Sequence, residues 1–233
     1  MDNLRQYIAG TETRVPLKNG KKTKYINFDN AATTPPLKTV LKKIKNFAPW
    51  YSSIHRGKGY KSRLSSEKYE MAREIIANFL GADSKEYDII FVKNTTAAIN
   101  KLAWRLQDIH PKKDIVLTTE MEHHSNDLPW RKKYRLIHIR TNKYGRLDLG
   151  DLESKLIKYK NRVKLVTVTG ASNITGYINP IYKIAGLAHS YGALIMVDGA
   201  QLVPHRNINL HPGKGDQIDF LAFSGHKMYA PFG

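Results

Sequence analysis

The sequence predicts an α/β protein, a three-layer αβα arrangement built on a mostly parallel sheet. Two observations carry that expectation. Short apolar, β-branched runs recur at Asp88 to Val92, Asp114 to Thr118, Leu136 to Ile139, Val163 to Thr169, Ala193 to Val197 and Asp219 to Phe223. Runs of this kind suit strands that are covered on both faces. Helical patterns lie between several of them, and alternating strands and helices imply a parallel sheet with helices on either side.

Taken in order, residues 1–24 are polar and lysine-rich, with Pro16 and Asn19-Gly20 as turn signals, and are expected to form an N-terminal arm. Residues 25–233 are expected to form one large domain, since no repeat or low-complexity linker divides them. Tyr69, Ala72, Ile76 and Phe79/Leu80 make one apolar stripe at helical spacing, and Ile99, Leu102/Ala103 and Leu106 make a second. Pro180 opens a third, with Ile181, Ile184, Ala185 and Ala188 on one face and Gly192 beyond its end.

Composition narrows the class of function. A chain of 233 residues with 41% hydrophobic and 25% charged residues is globular and long enough for a substantial core. No apolar run approaches a membrane span, and Met1 to Arg14 lacks the apolar stretch of a signal peptide. A cytoplasmic protein without membrane contact is therefore expected. Cysteine is absent, which excludes disulfides, thiolate metal ligands and a cysteine nucleophile within these residues. The net charge of +18 raises the question of nucleic acid. Its basic residues are dispersed over Lys18 to Lys24, Lys38 to Lys45, Arg56 to Arg63, Arg131 to Arg135 and Lys155 to Lys164, several of them on helices. Such runs are usually solvated faces, so nucleic acid is not the expected partner. A non-enzymatic fragment whose basic surface meets nucleic acid or an acidic carrier is the competing reading from another class.

In open α/β sheets ligands sit beyond the carboxyl ends of the strands. Five strands here are followed by polar residues: Asn94-Thr95-Thr96, then Glu120 to His124, then Gly170 to Asn173, then Asp198 to Gln201, and last Ser224-Gly225-His226-Lys227. Thr95 and Thr96 at a helix start suit a phosphate, or simply cap the helix. His123 could lie against an aromatic ring, or be a hydrogen-bonded loop residue. Asp198, directly after Ala-Leu-Ile-Met-Val, is costly to bury without a cation, although an N-cap or a lysine salt bridge would also serve. Lys227 at one strand end and Asp198 at another are what pyridoxal 5'-phosphate requires. The amine forms a Schiff base with the aldehyde, and the acid keeps the ring nitrogen protonated. The Glu120, Glu122, His123, His124 cluster lacks the helical His spacing of a metal site, so no metal is expected. Neither a Gly-x-Gly-x-x-Gly nor a Walker pattern is present.

The chain resembles the class V aminotransferase family of pyridoxal phosphate enzymes, nearest to its cysteine desulfurase and selenocysteine lyase branch. The segments that carry the resemblance are Phe28 to Thr33, His55-Arg56-Gly57, Asn94 to Thr96 with Ile99-Asn100, Glu120 to Asn126 with Pro129-Trp130, Ser172 to Gly176, Val197 to Gln201 and Ser224 to Lys227. The resemblance implies that Lys227 carries the cofactor and shuttles a proton, with His123 stacked on the ring and assisting. It implies further that Asp198 pairs with the ring nitrogen, that Gln201 bonds the phenolic oxygen, and that Thr95, Thr96, Ser224 and His226 hold the phosphate. Asn173, Ala31, Ala32 and His55 would face the amino-acid substrate. A homodimer and a sulfur-acceptor protein are implied as partners. Within enzymes the alternatives are amino-group transfer, epimerisation or decarboxylation through the same lysine.

The chain departs from the family pattern at Asn94, which stands where desulfurases usually have glycine, and at Gly59 and Gly170, where histidines are common. Family members continue past Ser-Gly-His-Lys into a last strand and a small carboxy-terminal domain that brings an arginine and a persulfide-forming cysteine. The chain is accordingly expected to be an amino-terminal fragment that binds the cofactor and does not turn over cysteine.

Overall fold

The computed structural model describes residues 4–213 and 215–231. They divide into two compact units, one made of the residues up to Arg73 together with those from Ser224 onward, the other of Glu74–Phe223.

The first unit opens with a 3-10 turn, Leu4–Tyr7, and a two-stranded antiparallel hairpin of β1 (Arg14–Pro16) and β2 (Lys22–Lys24). The Asn19-Gly20 signal is realised as the hairpin turn, with Gly20 at φ +78° and the Asn19 side chain accepting the Lys21 N–H. Helix α1 (Lys38–Phe47) follows; its apolar residues Val40, Leu41 and Phe47 are only half-buried and Ile44 is exposed. Helix α2 (Tyr60–Phe79) is counted with this unit as far as Arg73. Its Ser62 and Ser65 side chains are buried, and Ser62 donates to the Ser53 carbonyl while the Ser65 hydroxyl accepts the Ser52 N–H.

The second unit is the α/β core. Helix α3 (Thr95–Arg105) is followed by β3 (Ile115–Thr119), β4 (Arg135–Ile139), α4 (Leu149–Lys158), β5 (Val163–Thr169), α5 (Ile181–Ser190), β6 (Leu194–Asp198) and β7 (Phe220–Ala222). The five strands form one sheet in the order β4-β3-β5-β6-β7, and every pairing is parallel. All residues of β3 and β5 are buried, as a sheet covered on both faces requires. On one face Ile99 and Ala103 of α3, with Leu106 and the fully buried Trp130, pack on Val116, Leu165, Met196 and Ala222. The alternate residues Leu117, Val166 and Ile195 point to the other face, where α4 and α5 bring Leu152, Leu156, Ile184 and Ala188. The result is the expected αβα layering.

Asp88 to Val92 is not the strand its pattern suggested. It runs without strand pairing into α3, and Ile90 is 64% exposed. Its continuous apolar run is that of a strand, but a strand also needs a neighbour, and no described strand pairs with it. Helices α1 and α4 lie in lysine-rich stretches, where charge masks the apolar spacing.

Candidate functional site

Within the first unit, Lys227 ends a three-residue 3-10 turn, Gly225–Lys227. Thr34 pins this turn: its backbone N–H and its hydroxyl both donate to the His226 carbonyl, at 3.0 and 3.1 Å. The Thr34 hydroxyl in turn accepts the Tyr229 N–H at 2.7 Å, and the Leu37 N–H donates to the Tyr229 carbonyl. A separation of 192 residues in sequence is thereby closed, and Ala31 and Ala32 lead directly into the residue that fixes the lysine turn. Thr34 escaped the sequence reading because its partners are backbone atoms, which leave no motif. His55 sits at φ +58°, its ring edge-on to Tyr69 and its Nε2 2.9 Å from Glu70 Oε1. The first unit thus ties Thr34 to the turn that carries Lys227 and turns His55 toward Glu70. Around Gly59 a Cβ would meet nothing within 4 Å, so a side chain at this position would find open space.

Within the second unit, parallel pairing puts the carboxyl ends of β3, β5 and β6 on one edge of the sheet. The residues after them are therefore neighbours by topology. Beyond β3, His123 caps the 3-10 turn His124–Asn126: its Nδ1 accepts the Ser125 N–H at 3.1 Å and lies 2.7 Å from the Ser125 hydroxyl. A ring nitrogen that accepts a backbone N–H carries no proton of its own, which leaves the proton of the neutral ring on Nε2. Beyond β5, Asn173 is exposed in a turn closed by the Ser172 hydroxyl, which accepts the Ile174 and Thr175 N–H groups. At the end of β6, Asp198 is 3% exposed and accepts the Ala200 N–H at 3.0 Å, and Gln201 follows, half-buried. At the start of α3, the Asn94 side chain caps the helix by accepting the Ala97 N–H at 2.9 Å. The two hydroxyls that follow are divided, Thr95 buried and Thr96 exposed. The first turn of a helix has backbone N–H groups with no intrahelical acceptor, so this end attracts anions.

Glu122, to which neither the residue pattern nor the resemblance gives a role, bonds to the ends of β3 and β5 at this edge. Its carboxyl accepts the Thr169 N–H at 2.8 Å, the Thr119 hydroxyl at 2.5 Å and the Asn126 amide at 2.6 Å. Burial pushes its pKa up to about 8; the three hydrogen bonds oppose that shift and the nearby Asp198 adds to it. No group of three or more metal-ligating side chains occurs among the described residues. No helix among them is long and apolar enough to cross a membrane. Chemically, the second unit offers a carboxylate buried at a strand end, an accessible imidazole of fixed tautomer, and a helix start bearing hydroxyls. This set fits pyridoxal phosphate, whose ring nitrogen, ring face and phosphate call for those three partners.

The family model for class-V aminotransferases matches residues 26–233. A cysteine desulfurase of Haloferax volcanii is 36% identical over 219 residues, covering 91% of this chain and 50% of that protein. A probable cysteine desulfurase of Mycolicibacterium paratuberculosis is 38% identical over 223 residues, covering 92% of this chain and 31% of that one. Among solved structures, the apo cysteine desulfurase of Thermococcus onnurineus superposes with a TM-score of 0.76 at 38% identity, over 86% of this chain and 50% of the other. The Escherichia coli cysteine desulfurase in its S-sulfonic acid form gives 0.70 at 30%, over 88% and 51%. The chain spans about half the length, or less, of these relatives. It belongs to the class-V aminotransferase family.

Proposed function

We propose that this class-V aminotransferase chain binds pyridoxal phosphate through Lys227 and acts on an amino acid, the whole protein being a cysteine desulfurase or selenocysteine lyase that releases sulfur and leaves alanine. The observation that supports this most is the sheet edge, where Asp198, His123 and Asn173 follow the ends of adjacent parallel strands in the order the family places them. When bound, the cofactor supplies an electron sink for charge developing at the substrate's Cα. Asp198 holds a proton on the ring nitrogen, and its burial strengthens that interaction. His123, with its Nε2–H free to donate, would lie against the ring, and Lys227 would supply the attaching amine and carry the proton at Cα. Gln201 bonds the phenolic oxygen. Thr95, Thr96, Ser224 and His226 hold the phosphate, while Ala31, Ala32, His55 and Asn173 bound the substrate.

The 233 residues contain no cysteine, so no side chain within them can take up sulfur as a persulfide. For that reason the chain alone is expected to bind the cofactor without turning cysteine over. Asn94 and Gly59, in place of the residues usual in desulfurases, favour amino-group transfer as the second reading. On this reading the whole protein would be a cytoplasmic homodimer that passes sulfur to an acceptor protein. Titration of the purified chain with pyridoxal phosphate tests the proposal. A visible absorbance band that saturates in the wild type and is lost in Lys227→Ala supports it; folded protein with no band rejects it.

A further inference from the structure

Two residues on either side of His123 are anchored to the sheet, and one side chain does most of the anchoring. Glu122, immediately before His123, accepts the backbone N–H of Thr169 at 2.8 Å. Thr169 is the last residue of β5, and its register partner across the sheet is Asp198. The other Glu122 oxygen accepts the side-chain amide of Asn126, three residues after His123, at 2.6 Å. Asn126 is itself fully buried and oriented without ambiguity. Its Oδ1 accepts the Trp130 indole N–H at 3.2 Å and the Thr167 hydroxyl at 2.7 Å, so its amide nitrogen must face Glu122. The backbone closes the same loop, since the Asn126 N–H donates to the His123 carbonyl at 2.8 Å. His123 is therefore an exposed ring on a short turn whose two ends are held by a single buried carboxyl.

We propose that Glu122 is a positioning residue of the cofactor site: it locks the His123 turn onto the Thr169–Asp198 rung, so that the imidazole and the ring-nitrogen acid keep a fixed relation. This rests on the pyridoxal phosphate reading above for the purpose of the lock, and on the hydrogen bonds alone for its existence. Buried polar networks specify one arrangement when every member is satisfied, and this one is satisfied at each oxygen of Glu122. The chemistry of the donors makes the requirement strict. Thr169 N–H and the Asn126 amide are obligate donors facing opposite oxygens, so a glutamine at 122 would set an NH2 against one of them. Of these three partners, only the Thr119 hydroxyl can receive a proton from the protonated acid. Aspartate at 122 is one methylene shorter and cannot span Thr169 and Asn126 together.

That strictness supplies a test, because exchanging the two groups restores the pattern. With Glu122→Gln and Asn126→Asp combined, the glutamine NH2 donates to the new carboxyl while its oxygen still accepts from Thr169 and Thr119. The new carboxyl keeps the Trp130 and Thr167 bonds, with Thr167 now the hydroxyl able to receive a proton. The four proteins of this cycle are compared in the full chain by two readouts. Without cofactor, amide hydrogen exchange is followed at Ser125 and Asn126, whose N–H groups bond His123. With pyridoxal phosphate, the dissociation constant and the position of the absorbance band are measured. Each single change is expected to speed exchange in the turn and weaken cofactor binding by about tenfold or more, with the double exchange returning both to within about threefold of wild type. Unchanged single variants, or a double variant no better than either, overturn the proposal. Exchange accelerated equally through β3, β5 and β6 also overturns it, since Glu122 would then be a general core residue. If a single variant does not fold, failure of the double exchange to recover folded protein counts against it in the same way. A wild type that shows no cofactor band defeats the functional reading, whereas the exchange cycle still decides whether Glu122 holds the turn.

Discussion

Gly170, one of the departures from the pattern that the resemblance implies, is accounted for by its packing. A Cβ there would lie 2.6 Å from Leu202 Cδ2 and 2.9 Å from Leu202 Cβ, so Leu202 occupies the space a side chain would need. Gly170→Ala is expected to cost about 1–3 kcal/mol through overpacking, read as a lower denaturant midpoint. Gly59→His, at an open position, should change stability by no more than about 0.5 kcal/mol. Equal effects at the two sites would contradict this account. Thr34 offers a second residue-scale check: Thr34→Val keeps the shape but removes the hydroxyl that bonds both the His226 carbonyl and the Tyr229 N–H. A loss of about 1–3 kcal/mol and faster exchange of the Tyr229 amide are expected, and an unchanged Tyr229 amide would argue against the pin. Such residues were illegible in the sequence because their partners are backbone atoms or residues far along the chain. The side chains with chemistry of their own, Asp198, His123 and Lys227, could be singled out from their positions after apolar runs.

Elements were legible where burial imposes a period. Strands β3 to β7 and helices α3 and α5 lie within a few residues of their expected places, because two covered sheet faces demand unbroken apolar runs and amphipathic stripes. Helix α4 was not foreseen. Its signal was present in Asp148, whose side chain accepts the Asp151 N–H at the N-cap, and in the Leu152–Leu156 spacing. Asp88 to Val92 failed in the opposite sense, for its pattern is that of a strand while pairing depends on a neighbour. The consequence is measurable at the scale of the element. Amides of β5, wholly buried between β3 and β6, should exchange orders of magnitude more slowly than those of Ile90 and Val92. Comparable protection in both segments would mean that Asp88 to Val92 is paired in solution.

For the molecule as a whole, two half-buried groups make stability depend on pH in the same direction. Burial alone would lower the pKa of His189, but its bonds to the Asp219 carboxylate and the Gly215 carbonyl outweigh that and raise it. A raised histidine stabilises the fold fully below about pH 6.5, its ordinary value, and the benefit is lost as pH climbs through the folded value. Glu122, pushed up to about 8, favours the folded state in its protonated form, so its contribution is lost between about pH 4.5 and 8. The denaturation midpoint is therefore expected to fall from pH 5.5 to pH 8.5, by less in His189→Gln; a midpoint that rises over this range would contradict both assignments. Exposed apolar side chains, with Phe28 at 96% and Ile174 at 86%, further predict concentration-dependent association in sedimentation, where a clean monomer would count against it. The central claim is that one amine among many is matched to the cofactor. Borohydride reduction of the chain with pyridoxal phosphate, followed by peptide mapping, tests it most directly. The account predicts a single stoichiometric label on Lys227 that Asp198→Asn weakens; a label scattered over the surface lysines, indifferent to Asp198, would contradict it.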